Sequence, residues 1–148
     1  MSGGAAPPSI PTTPPALTAG AEMPTVVTEP FTRTDFVRYA GAGGDFHPIH
    51  HDEEYATAAG MPSVFGMGML HAGMLGVELA RWVGPDNICA FKVRFTGQVW
   101  PGDVLTFSGR VVSLVDDQAE IELEATSQRG DSVLRAGATV LAAPTLTR

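Results

Sequence analysis

The 148-residue chain holds a single cysteine, Cys89. An internal disulfide is therefore excluded, and no cluster of thiolates can hold a metal. Basic residues are also scarce. Nine Lys and Arg stand against 16 Asp and Glu, a formal charge of −7. That balance argues against nucleic acid or an anionic membrane surface as the main partner, because both need a basic face. No run of about 18 apolar residues exists, so nothing here reads as a membrane-spanning helix. The first residues lack the charged-then-apolar order of a secretory signal. With the lone thiol, this sets the expectation of a reducing, cytoplasmic setting. The length fits one domain, with roughly two thirds of the unfolded surface removed from water on folding.

Residues 1–16, "MSGGAAPPSIPTTPPA", are rich in Pro, Gly, Ser and Thr and have little to bury. They read as a disordered or extended arm, which leaves 17–148 as the domain. "PTVVTEPF" at 24–31 is β-prone, but its two prolines confine it to an edge. Thr32 or Thr34 can cap a short helix that the glycines from Gly41 stop. "DEEYATAAG" suggests a second short helix, with Asp52 as N-cap and Gly60 as its stop. Gly68–Val83, "GMLHAGMLGVELARWV", is long enough for about four helical turns and is apolar nearly all round. Such a helix is expected to be buried. Its interior glycines, Gly73 and Gly76, suggest close approach of another backbone.

After "GPDN" the period changes to two. Phe91, Val93 and Phe95 alternate with Lys92, Arg94 and Thr96. Strands are expected at 104–115, around Ile121, Leu123 and Ala125, and at 133–142, the last two joined by an "RGD" read as a hairpin turn. One apolar helix and about four antiparallel strands, with an earlier strand to complete the sheet, make an α+β domain. The simplest packing wraps a twisted sheet around the helix, the hot-dog arrangement. Its open edge strand suits pairing into a dimer.

Three of the four histidines crowd into "GDFHPIHH" at 44–51: His47, His50 and His51. A metal site is disfavoured, because Pro48 breaks any helical pair and no second ligand cluster exists. Cys89 has no base near it in sequence, and no serine sits in a nucleophile elbow. An acid/base pair fits better. Asp45 and His50 are five residues apart on an irregular loop that could bring both onto one water. A turn-capping Asp45 beside a solvated His50 accounts for the spacing equally well.

"YAGAGGDFHPIHHDEEYA" resembles the signature of the MaoC-like, R-specific enoyl-CoA hydratase family. The resemblance runs on through Gly68–Leu70, "WVG" and "KVRFTGQVWPGD", covering about residues 24–142. Within the family it is similar to the catalytic subunit of the mycobacterial (3R)-hydroxyacyl-ACP dehydratases. The resemblance implies a hot-dog fold and hydration of 2-enoyl thioesters to (3R)-3-hydroxyacyl thioesters, or the reverse. It implies Asp45 and His50 as the pair that activates water, and the Gly68 N–H as donor to the thioester oxygen. It calls for no metal and no cofactor. The implied partners are an acyl-CoA or acyl-carrier-protein substrate and a second copy of the chain, or else a second hot-dog chain in a heterodimer. His47 stands where the family has Asn, and Met67 where it usually has His. His47, Met67, Met69 and Arg94 are the candidates for substrate contact. Met61, Met67, Met69 and Met74 read either as core or as an adaptable acyl wall. A hot-dog thioesterase and an auxiliary subunit of a heteromeric dehydratase are the rival readings.

Overall fold

The computed structural model describes residues 9–143. The first eight residues of the expected arm, and 144–148, lie outside the described residues. Within 9–16 the chain is tied down by its backbone: Thr13 O accepts from Asn87 Nδ2 at 3.1 Å, and Pro15 O from Ala143 N at 2.8 Å.

Three helices precede most of the sheet. Helix α1 spans Arg33–Gly43. Thr32 and Asp35 cap it reciprocally, each side chain accepting from the other's backbone N–H. It runs two residues beyond Gly41 and stops at Gly44, whose φ of 74° few other residues adopt cheaply. Helix α2, Glu53–Ala58, begins at the expected cap: Asp52 accepts from the Tyr55 N–H. Helix α3 occupies Gly68–Val83, the span that its apolar run predicts.

The sheet contains β1 (Val26–Val27), β2 (Ile88–Phe95), β3 (Leu105–Val115), β4 (Gln118–Ser127) and β5 (Ser132–Leu141). Its order is β1-β3-β4-β5-β2, and every pairing is antiparallel. The proline-bounded segment is indeed an edge strand of two residues, and β2 is the other edge. In β4, Ala119, Ile121, Leu123 and Ala125 are buried while Glu120 and Glu122 are exposed. That inner face packs on Leu75, Leu79 and Val83 of α3, all fully buried. The sheet wrapped around one helix is the hot-dog fold.

Helix α3 departs from expectation on one side. Met69, Gly73 and Val77 form an i, i+4, i+8 stripe that faces solvent, Met69 being 56 % and Val77 50 % exposed. A Cβ on Gly73 would meet open space, whereas one on Gly76 would touch the Phe91 ring at 3.4 Å. Only Gly76 therefore answers to close packing. Gly84 ends the helix at φ +86°, and a Cβ there would lie 2.1 Å from Pro11 O.

The loop that leads into β3 is fixed by Asp103, a buried carboxylate. It accepts from Trp100 N and Gln128 Nε2, both at 2.9 Å, and pairs with Arg129. Burial pushes its pKa up, but the hydrogen bonds from Arg129, Trp100 and Gln128 outweigh that and hold the carboxyl below its ordinary range.

Candidate active site

A cavity of about 400 Å³ opens between the histidine turn, the start of α3 and the end of β2. Asp45, His50, Gly68, Met67 and Met69 all line it. Five of the residues expected from the sequence thus share one space.

Local backbone chemistry places the pair. Gly44 turns the chain out of α1 into Asp45. His47 is extended, φ −61° and ψ 129°, as a residue before proline should be. Pro48 then opens a single 3₁₀ turn, Pro48–His50. His50 Nδ1 lies 2.7 Å from Phe65 O. A carbonyl can only accept, so Nδ1 carries the proton and the neutral ring keeps the Nε2 lone pair free. That Nε2 lies 3.6 Å from Asp45 Oδ2. The separation is too long for a direct hydrogen bond and lets the two acceptors share one donor lying to the side of the line between them. The His50 side chain is 11 % exposed and that of Asp45 50 %. The imidazole is therefore mostly covered, while the carboxylate stays open to solvent.

Gly68 is the first residue of α3. The amides of a first turn have no intrahelical acceptor, and the helix dipole makes that end electropositive. Met67 at the cap makes no side-chain hydrogen bond, so it does not compete for those amides. The turn before it is held by the Gly66 N–H, which donates to Val99 O at 2.8 Å. A Cβ on Gly68 would come within 2.7 Å of the Phe95 ring. The bare backbone and the ring therefore form one wall.

Two candidates lie elsewhere. Arg94 is on the opposite sheet face from its neighbour Phe95, because successive strand residues point to opposite sides. It lines a separate groove of about 800 Å³ with Lys92, Arg110, Glu122, Glu124 and Arg135. His47 is exposed and outside the cavity; its Nδ1 accepts from the Ile49 N–H at 3.2 Å, and its ring packs edge-on against Tyr55. Of the four methionines, Met67 and Met69 reach the cavity, while Met74 lines a different hollow beside α1. Among the described residues no three of His, Cys, Asp and Glu gather as a metal site, and no helix is long and apolar enough to cross a membrane.

Sequence reasoning missed His71, Phe65 and Phe95. His71 lies one turn into α3, only 4 % exposed, and among the described residues neither ring nitrogen has a hydrogen-bond partner. Burial pushes its pKa down to about 4, with the Asp103 charge pulling weakly the other way. It lines the cavity and packs edge-on against Phe31, with ring centroids 5.1 Å apart. A lone histidine in an apolar helix was its only signal. Phe65 acts through its carbonyl, which no side-chain pattern announces.

Fold and site together define a hot-dog domain in which an aspartate and a histidine share a cavity with a helix N-terminus. Residues 15–131 match the family described as the MaoC like domain, and the chain belongs to that family. The chain is 29 % identical over 113 residues to the (R)-specific enoyl-CoA hydratase of Rhodospirillum rubrum, which covers 74 % of this chain and 78 % of that protein. It is 32 % identical over 119 residues to fatty acid synthase 2 of Mycosarcoma maydis, covering 74 % of this chain but spanning only 3 % of that protein's length. In structure it is similar to the ChsH1-ChsH2 complex of Mycobacterium tuberculosis, with a TM-score of 0.76, 24 % identity, and coverage of 85 % of this chain and 98 % of the matched one. At that identity the likeness speaks to the fold.

Proposed function

We propose that the chain is a hydro-lyase that adds water to 2-enoyl thioesters, giving (3R)-3-hydroxyacyl thioesters, or removes it in reverse. The observation that carries this reading is the 3.6 Å gap between Asp45 Oδ2 and His50 Nε2, above the cavity that Gly68 lines. A water seated beside the pair donates one proton to each acceptor, which orients its lone pair toward C3 of the substrate. As the C–O bond forms, the pair takes one proton from the water. Electron density moves to the thioester oxygen, where the Gly68 N–H and the α3 dipole stabilise it. As the enolate collapses the pair returns that proton to C2, so one water is added across the double bond and the pair is restored. Dehydration retraces these steps.

The unpaired β2 edge and the exposed stripe Met69, Val77 and Phe95 support a second hot-dog chain alongside, most simply a second copy. A homodimer is the form proposed. The test is hydration of crotonyl-CoA and longer enoyl-CoAs, followed by loss of enoyl absorbance, with chiral analysis of the product. Asp45→Ala and His50→Ala should each lower kcat by at least about 100-fold. Full activity in either variant, or release of free thiol in place of hydration, would refute the assignment. Activity appearing only after a different hot-dog chain is added would overturn the homodimer.

A further inference from the structure

We propose that His47 is the positioning residue of the Asp45–His50 pair, and that it makes the pair sensitive to a second proton. This rests on the hydratase reading above and deepens it. His47 stands between the two partners in sequence and is bonded toward both in space. Its backbone N–H donates to Asp45 Oδ1 at 3.3 Å. Its Nδ1 accepts from the Ile49 N–H at 3.2 Å and so caps the 3₁₀ turn that ends in His50. Its ring packs at 79° to that of Tyr55, with centroids 5.5 Å apart, which anchors the cap to α2. Because the ring lies outside the cavity lining, it acts through its neighbours and not on the substrate.

An amide oxygen in this place accepts at any pH. An imidazole nitrogen accepts only while it is unprotonated. The cap therefore requires the neutral Nε2–H tautomer. A proton on Nδ1 turns the acceptor into a donor facing another donor, and the turn under His50 loses its cap. The same proton places a cation beside His50, whose ring centroid is 6.3 Å away. That disfavours the imidazolium which His50 must form when it takes a proton from water.

The groups that face His47 are few. Asp45 and His50 come from its own turn, and Tyr55 comes from α2. Of the carboxylates at the start of α2, Asp52 is engaged with the Tyr55 N–H and Glu53 with Arg33, while Glu54 is exposed. The Asp45 carboxylate attracts a positive charge on His47 and a cationic His50 repels it, so a charge on either ring acts on the other.

The experiment measures kcat/KM for crotonyl-CoA from pH 5 to 8 in wild type, His47→Asn and His47→Ala, above the range where ordinary carboxylates protonate. It also follows the Ile49 amide and the histidine rings by NMR over the same range. In wild type the acid limb of log kcat/KM should steepen from a slope of one toward two; in His47→Asn it should stay at one. His47→Ala should lose about fivefold in kcat at the plateau, the rate equivalent of one lost cap. The Asn variant should recover most of that. The Ile49 amide shift should titrate together with the His47 ring. Identical acid limbs in wild type and His47→Asn, or an Ile49 amide indifferent to His47, would overturn the proposal. A chain inactive on every enoyl thioester would overturn the hydratase reading instead, and the Ile49 titration would still decide the cap.

Discussion

Replacing His71 with leucine should free the fold of an acid-dependent loss of stability. His71 is buried with both ring nitrogens unpartnered, and its pKa is lowered to about 4 from an ordinary 6.5 by burial. Above pH 6.5 neither the folded nor the unfolded chain protonates this ring, and it contributes no pH dependence. Below that, the unfolded chain takes up a proton that the folded site refuses. Stability therefore falls as the pH drops from 6.5 toward 4 and levels off below it. With 1.36 kcal/mol per pKa unit, the loss is about 1 kcal/mol at pH 5.5 and reaches about 3 kcal/mol by pH 4.5 and below. Urea unfolding at pH 7.5, 5.5 and 4.5 measures it in wild type and His71→Leu. All other titrating groups are common to both proteins, so the difference between the two curves isolates this ring. The variant should also gain about 1 kcal/mol at pH 7.5, where the buried polar atoms left without hydrogen bonds are removed. Stability curves that run parallel from pH 7.5 to 4.5 would refute the argument, because they would mean that the ring titrates alike in both states.

Two further substitutions test close contacts. Gly68→Ala places a methyl group 2.7 Å from the Phe95 ring, and should lower kcat about tenfold by pushing the first amides of α3 off their aim; steady-state hydration kinetics measure it. Phe95 is half exposed and can be trimmed, so Gly68→Ala combined with Phe95→Leu should recover much of the loss. Gly84→Ala meets both the strained φ of +86° and Pro11 O at 2.1 Å. It should cost at least about 2 kcal/mol in urea unfolding, as strain and clash add. Activity per folded molecule should hold, since Gly84 is at the far end of α3 from Gly68.

Much of this protein is legible without coordinates. Helix α3 could be bounded because an apolar run of helical length ends in a glycine–proline pair. The three meander strands could be placed because Glu120–Ala125 alternates with period two and short polar turns punctuate the rest. Asp45 and His50 emerged because a local pattern around Pro48 resembles a family signature, and Gly68 because the resemblance runs on through Gly68–Leu70. The residues that escaped are those whose role depends on a neighbour far away in the chain. Arg94 looked like a substrate contact, yet one step of the β pleat sends it to the outer groove while Phe95 turns to the cavity. Met69 and Val77 looked buried because their helix is apolar, but the sheet wraps only part of the helix and leaves their stripe bare.

The sequence by itself determined the secondary elements, the acid/base candidates and the acidic, thiol-poor character of the chain, because these follow from composition and from interactions within a few residues. Only the tertiary structure decided which acceptors share a gap of 3.6 Å and which nitrogen of His50 is free. It also decided that His47 braces the turn from outside the cavity. Each of these depends on where a carbonyl at Phe65, a ring at Tyr55 or the first amide of α3 comes to rest, and packing across the whole sheet sets those positions.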